Sequence, residues 1–295
     1  MERLLITDID STIGLHIKEK FNDVYDIYHL GCDIKDSQAV EVRTNQIQPN
    51  YIIHICQQHK IKNRYEQDLL GTKTYQGTVN LIRAAKKISS LKLFTFHSVY
   101  ADQHSLWDYS KFLCEKIFHY ESQQGDLPYC VLKLPTVYGD YRRPLLFNIG
   151  QHIDDTVTFD TDSRDFQIED LIFEMKNKRK IIVNKNRSYE TLFIDDLVSL
   201  YEKILANVQT YEKTVQVIPY SDRATLQNIA AHVKLILANK VQIDIEFTDK
   251  DVIQSTALQS DYAMDWQPAF DYKKGLVALI DRINQFDRDF NGLQS

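Results

Sequence analysis

Glycine is scarce in this chain: 9 of 295 residues, about 3% where soluble proteins average about 7%. Any site built on a glycine-lined phosphate loop must draw on that small supply. Cysteine is also sparse. The four (Cys32, Cys56, Cys114, Cys130) lie far apart with no CxxC pair, and free thiols in a reducing cytoplasm are expected. No basic run dominates and the net charge is −6, so a phosphate-backbone binder is not expected. Apolar runs are short, as in Ile181-Ile182-Val183, against the roughly 18 residues that a membrane helix needs. With Met1-Glu2-Arg3 at the opening and a carboxylate already at Asp8, a signal peptide is not expected. The nine histidines show no metal-ligand spacing, and no metal site is expected.

What is present is alternation. Apolar strands are expected at 4–7, 24–30, 51–55, 91–96 and 129–134. Helical spacing follows at 13–21, with Ser11 and Thr12 able to cap it, and again at 79–88 and 107–120. A further strand-helix unit spans 189–205, and 181–183 reads as a strand. This order predicts an α/β chain with a doubly wound parallel sheet, covered on both faces, and a smaller C-terminal α/β lobe. The expected large domain is 1–145 with 185–215 returning to it. The expected small lobe is 146–184 with 216–295.

Two readings meet at Asp8-Ile9-Asp10-Ser11-Thr12. As a DxDxT pattern, Asp8 would be the nucleophile and Asp10 the general acid of a Mg²⁺-dependent phosphatase, with Ser98 and Asp195-Asp196 as further members. As a dinucleotide loop of the type T-G-x-x-G-x-x-G, Thr7 is kept, Asp8 and Ser11 replace the first two glycines, and Gly14 remains.

Segments elsewhere favour the second reading. Gln48-Pro49-Asn50-Tyr51-Ile52-Ile53-His54, Gly77-Thr78-Val79-Asn80-Leu81, Phe96-His97-Ser98-Val99-Tyr100, Ser110-Lys111 with Glu115-Lys116, Leu134-Pro135-Thr136-Val137-Tyr138-Gly139, Phe193-Ile194-Asp195-Asp196 and Trp266-Gln267-Pro268 with Gly275-Leu276 follow one another along the chain. In that order they resemble the extended short-chain dehydrogenase/reductases, the NAD-dependent epimerase/dehydratase family acting largely on nucleotide sugars. The resemblance implies a Rossmann-like fold, NAD or NADP as cofactor, a nucleotide sugar in the cleft between lobes, and a homodimer formed through helices at about 75–88 and 107–121. It implies catalytic roles for Ser98 and Lys111, with Tyr109 as the acid/base. It places Thr7, Ser11, Gly14, Asp33, Lys111 and Pro135 at the cofactor, and Arg142 and Arg143 at the sugar diphosphate.

The chain departs from that family in two places. The family's catalytic Tyr stands four residues before its Lys, on one helical face with it. Here position 107 is Trp, whose indole N–H donates only and relays no proton. Tyr109 lies two residues from Lys111, on a different face. The loop also carries Asp8 and Asp10, and each carboxylate opposes a diphosphate by about 1–4 kcal/mol at effective dielectrics of about 80 to 20. The expected function is therefore a divergent epimerase/dehydratase/reductase-like protein with redox chemistry weakened or lost. The alternative is a non-catalytic binding or scaffolding protein on the same fold. His54 reads as structural. His97 beside Ser98 lacks the G-x-S-x-G elbow of a hydrolase. The cluster Lys176-Asn177-Lys178-Arg179-Lys180 reads as a solvated turn.

Overall fold

The computed structural model describes residues 1–55, 64–99, 106–141, 156–159, 168–177, 180–184, 188–237, 243–248 and 265–292. The described residues form two units. The first is built on Met1–Leu134 and Val198–Ile218; the second is built on Pro135–Leu197, Pro219–Ser255 and Gln267–Ser295.

In the first unit, β1 (Glu2–Ile6), α1 (Thr12–Phe21), β2 (Tyr25–His29), α2 (Ser37–Ile47) and β3 (Tyr51–His54) are followed by α3 (Arg64–Ala85), β4 (Leu93–Val99), α4 (Leu106–Gln123) and β5 (Tyr129–Leu134). The sheet they form is wholly parallel, with β2 beside β1, β1 beside β3, then β4 and β5. A sixth strand, Thr214–Val217, returns to pair with β5. The strands read as near-continuous apolar runs because both faces are covered.

Strand alternation sends Leu5, Ile52, Phe94, Phe96 and Val131 into one core with Val40 of α2, Leu81 of α3, and Cys114 and Phe118 of α4. Phe94 meets Phe118 edge to face at 4.8 Å. On the opposite face Leu4 and Ile6 are fully buried, as is Ile17 of α1. There Lys20 of α1 pairs with Glu202 at 2.9 Å, on the returning helix (Ile194–Ala206).

From β2 the chain passes through α2 directly to β3, on the far side of β1. The crossovers therefore diverge between β1 and β3, which opens a crevice at the carboxyl ends of those strands. The 79–88 helix begins earlier than expected, at Arg64, and α2 was not expected at all. Asp36 caps α2, its carboxylate accepting the N–H groups of Gln38 and Ala39 at 3.0 Å.

The first unit ends before the expected 145. Pro135 lacks the N–H that a ladder needs, and the next strand, β6 (Thr136–Tyr138), pairs with β9 (Ser188–Phe193) in the second unit. Between them lie β7 (Thr156–Phe159), α5 (Ile168–Asn177) and β8 (Lys180–Asn184). The helix Ile194–Ala206 is α6 and a short turn of helix, Val208–Tyr211, is α7. They lead into the sixth strand of the large sheet, β10. The rest of the second unit is β11 (Asp222–Thr225), α8 (Leu226–Leu237), β12 (Asp244–Thr248) and α9 (Tyr272–Gly292). Its two small sheets run β11-β9-β6 and β12-β8-β7.

Glycines here are close-approach positions. Gly139 has φ +132°, and a Cβ on it would meet Ile194 at 2.5 Å. The buried Glu169 carboxylate accepts both the Gly139 and Asp140 N–H groups, at 2.6 and 3.0 Å. Among the described residues, no helix is long and apolar enough to cross a membrane.

Candidate functional site

The site is built at the carboxyl ends of β1, β3 and β4. Thr7 follows β1, and its backbone N–H donates to the Ile53 carbonyl at 3.1 Å. Its hydroxyl accepts the Ile55 N–H at 3.1 Å and lies 3.0 Å from His54 Nδ1. On the other side of the ring, Nε2 is 2.9 Å from the Thr78 hydroxyl, which itself donates to the Thr74 carbonyl at 2.7 Å. A hydroxyl has one proton. Thr78 places its proton on a carbonyl, so it accepts from His54 Nε2–H, and Nδ1 faces the Thr7 hydroxyl, which also reaches the Ile55 carbonyl at 3.3 Å. His54 is a neutral strut between β1, β3 and α3. Burial, with a smaller contribution from the Lys111 charge, pulls its pKa down to about 3.

The loop after β1 closes on itself. The Asp8 carbonyl accepts both the N–H and the hydroxyl of Ser11, at 3.2 and 2.6 Å. Ser11 Oγ in turn accepts the Gly14 N–H at 3.1 Å, capping α1. A Cβ on Gly14 would sit 2.2 Å from the Asp8 carbonyl oxygen and 2.8 Å from Ile9 Cα. Glycine is retained where the helix presses on the loop. At the other two glycine positions of the loop pattern stand Asp8 and Ser11, and the Ser11 hydroxyl is turned inward onto the loop and α1. Asp8 is half-buried and Asp10 exposed.

After β2, Asp33 is exposed and its carboxylate accepts the Lys35 N–H at 3.0 Å, a turn contact. That turn is held on α3 by the Gly77-Thr78-Val79-Asn80 segment. A Cβ on Gly77 would strike the Ile34 side chain at 2.5 Å, and the Asn80 amide donates to the carbonyls of Ile34 and Lys35 at 3.1 and 2.9 Å.

At β4, Ser98 is buried and lies on the same face of the strand as Phe96, the face toward α4. His97 points to the other face, where its Nε2 bonds the hydroxyl of Tyr201 on α6. Burial, then the charge of Lys111, holds the His97 pKa well below the usual histidine range. Lys111 of α4 is 4% exposed, whereas Tyr109 is 45% exposed. The Tyr109 ring lies edge-on to Phe112 at 6.5 Å. The structure thus buries Lys111 within electrostatic reach of His54 and His97 and leaves Tyr109 exposed. Two residues on a helix are about 200° apart, which is why the pair separates. Trp107 lies in the first turn of α4. Behind Lys111, buried Glu115 pairs with Lys133 of β5 at 3.1 Å.

Arg142 and Arg143 fall outside the described residues, as does Cys56. Pro135 is buried just after β5. The basic cluster is engaged at both ends: Lys176 with Asp287 at 2.6 Å and Lys180 with Glu246 at 2.5 Å. Asp195 makes a two-pronged pair with Arg282 at 2.9 and 2.5 Å, and Asp196 accepts the N–H groups of Ala269 and Phe270 at 2.9 and 3.2 Å. Both aspartates are tied up within the second unit. Among the described residues no group of three His, Cys, Asp or Glu side chains could hold a metal ion. Thr78 and Tyr201 were not singled out from the sequence. Thr78 stands inside a quoted motif, while nothing marks Tyr201, which lies 104 positions from His97.

The fold is shared with solved structures at low identity. The UDP-glucose 4-epimerase of Thermotoga maritima, solved with UDP-glucose, superposes with a TM-score of 0.76 at 16% identity, covering 96% of this chain and 99% of that one. The GDP-mannoheptose C4 reductase of Campylobacter jejuni, solved with NADP, gives 0.75 at 12%, covering 96% and 98%. The dTDP-glucose 4,6-dehydratase of Bacillus anthracis, in complex with NAD, gives 0.73 at 14%, covering 97% of each. No curated protein matches the chain in sequence. The family model described as the NAD dependent epimerase/dehydratase family matches residues 11–218, from the cap of α1 through the last strand of the parallel sheet, and the chain belongs to that family.

Proposed function

We propose that this protein is a divergent member of the family that binds a nucleotide sugar at the strand ends and has weakened or lost the redox step. One observation carries the reading: Lys111 is retained and buried, within electrostatic reach of His54 and His97, while the nearest tyrosine on its helix, Tyr109, is exposed and position 107 is Trp. The lysine's charge is in place without a tyrosine on its face to act on. Ser98 and Lys111 are the proposed substrate-facing pair, and Tyr109 is left out because it is exposed.

The fit to NAD or NADP supports the same reading. Gly14 keeps the packing role of the third loop glycine, but Asp8, Asp10 and Ser11 do not make a cradle for a diphosphate, so no step is routed through the cofactor. Asp33 stands after β2, where an acidic side chain would meet an adenosine ribose. It is the one cofactor-side feature besides Gly14 that suits a dinucleotide.

The test is thermal unfolding with NAD⁺, NADH, NADP⁺ and NADPH at millimolar level, and then with UDP-glucose, GDP-mannose and dTDP-glucose. A ligand at about 100 times its dissociation constant adds about 2.7 kcal/mol, a rise of several degrees for a chain of this size. The expected result is a rise with a nucleotide sugar and none with the four dinucleotides. A clear rise with a dinucleotide restores the redox enzyme. No rise with any of the seven leaves the scaffold, which Trp107, Asp8 and Ser11 also favour.

We further propose a homodimer through α3 and α4. Tyr75 on α3 and Tyr109, Leu113 and Tyr120 on α4 are 41–58% exposed, and on α4 they recur at helical spacing.

A further inference from the structure

Two charges meet inside the apolar layer between α4 and the sheet. The buried stripe of α4 runs Lys111, Cys114, Glu115 and Phe118, each exposed by 6% or less, at the spacing that shares one helical face. The facing stripe of β5 is Tyr129, Val131 and Lys133, because alternate residues of a strand share a face. Tyr129 and Val131 join Cys114 and Phe118 in the core. Lys133 departs from that pattern on β5, as Glu115 does on α4, and the two departures find each other: Lys133 Nζ is 3.1 Å from Glu115 Oε2, with the lysine side chain only 12% exposed. The other cation near Glu115, the exposed Lys116, stands off at 3.9 Å. In the parallel ladder Lys133 is the register partner of Ser98 on β4. The ion pair therefore lies beside Ser98, on the same side of the sheet, and one helical turn from Lys111.

Stability gives little reason for charge at this place. Two ions lose their water on burial, and well-packed apolar residues of similar volume in their stead are often neutral or stabilising. What the pair supplies is direction. Apolar burial is non-directional, so a helix held by it alone can slide or roll on the sheet, whereas a charge-assisted hydrogen bond fixes distance and angle together. Ser98 is set by the strand ladder. Lys111 rides on a helix whose backbone bonds are spent within itself. We propose that Glu115 and Lys133 are positioning residues: their ion pair locks α4 to β5 and so holds Lys111 at the level of Ser98. This role rests on the nucleotide-sugar reading above, in which Ser98 and Lys111 face the substrate, and adds the device that keeps those two in register. Both residues act through Lys111 and Ser98.

The experiment compares wild type with the double variant Glu115→Leu and Lys133→Met, an apolar pair of similar volume. Urea unfolding reads stability, and calorimetric titration with UDP-glucose, GDP-mannose and dTDP-glucose reads binding. The expected result is a separation of the two. The unfolding midpoint stays at or above that of wild type, while binding weakens about ten-fold, the loss of one hydrogen bond to a charged group. Lys133→Arg, which keeps the charge and its pairing with Glu115, is expected to recover most of the affinity. A double variant that binds as wild type does overturns the positioning role and leaves the nucleotide-sugar reading standing. Lys133→Arg binding as weakly as the double variant has the same consequence, because the ion pair is then not what sets affinity. If wild type binds none of the three, the reading falls and the positioning role with it. Should the double variant not fold, Glu115→Asp decides: it keeps the charge and withdraws the carboxylate by one methylene. Weaker binding is expected, and unchanged binding overturns the role.

Discussion

At the residue scale the site is governed by proton accounting. His54 and His97 are neutral because burial opposes their charge. Their folded-state proton affinities lie below the unfolded value near 6.5, so the unfolded chain takes up protons that the folded one refuses. Stability from these two groups is present above about pH 6.5 and is lost as pH falls, toward about 3 for His54. Each contributes a slope approaching about 1.4 kcal/mol per pH unit in that window. Urea unfolding of the wild type at pH 7 and pH 5 should show the loss, and His54→Gln should remove about half of the histidine part of the slope. An unchanged slope would mean that His54 is not neutral in the fold. Gly14→Ala is the second residue-scale prediction. The new Cβ would lie 2.2 Å from a backbone oxygen, which no rotamer relieves, so a loss of about 1–3 kcal/mol is expected in chemical denaturation. A variant within 0.5 kcal/mol of wild type (about the scatter of surface substitutions) would show that α1 can slide on the loop. The sequence marked His54 and Gly14 by motif, but their partners were not legible there. Thr7 stands 47 positions from His54, and a hydroxyl's partner is set by where the strands put it.

At the element scale, strands and long amphipathic helices were readable, and capping explains the main gap. Helix α2 presents only Val40, Thr44 and Ile47 to the core, too thin a stripe for periodicity to reveal. Its start rests on Asp36, whose carboxylate takes two backbone N–H groups. Asp36→Ala should cost about 1 kcal/mol in chemical denaturation. No measurable cost would mean that packing alone holds the helix. The Gly77-Thr78-Val79-Asn80 segment shows why a motif on one helix was informative before its roles were known. Gly77 makes room for Ile34, Thr78 fixes the His54 tautomer, and Asn80 holds two carbonyls of the turn after β2. Three neighbouring residues serve three tertiary contacts, so their order in sequence is constrained even though each partner is remote. On α4 the same geometry separates Lys111 from Tyr109, a separation that the two-residue spacing already implied.

At the scale of the whole molecule, the parallel sheet follows from short apolar strands buried on both faces, while the strand order does not. The passage from β2 through α2 to the far side of β1 is what brings the ends of β1 and β3 together and opens the crevice. The break at Pro135 sends β6 into a different sheet from β5. The proposed α3–α4 dimer is tested here. Light scattering should give twice the 34.6 kDa chain mass for the wild type and a monomer for Leu113→Glu, since a charge on that apolar stripe cannot be buried unpaired. A monomeric wild type would dispose of the dimer.

By itself the sequence determined the fold class, the family resemblance, and the two departures at the loop and at position 107, because these are properties of local pattern and residue type. Only the tertiary structure decided which histidine nitrogens are engaged, that Ser11 turns inward to cap α1, and that the aspartates at 195 and 196 serve the second unit. The physical reason is the same in each case. A hydrogen bond depends on where two remote segments meet, and spacing along the chain does not encode that meeting.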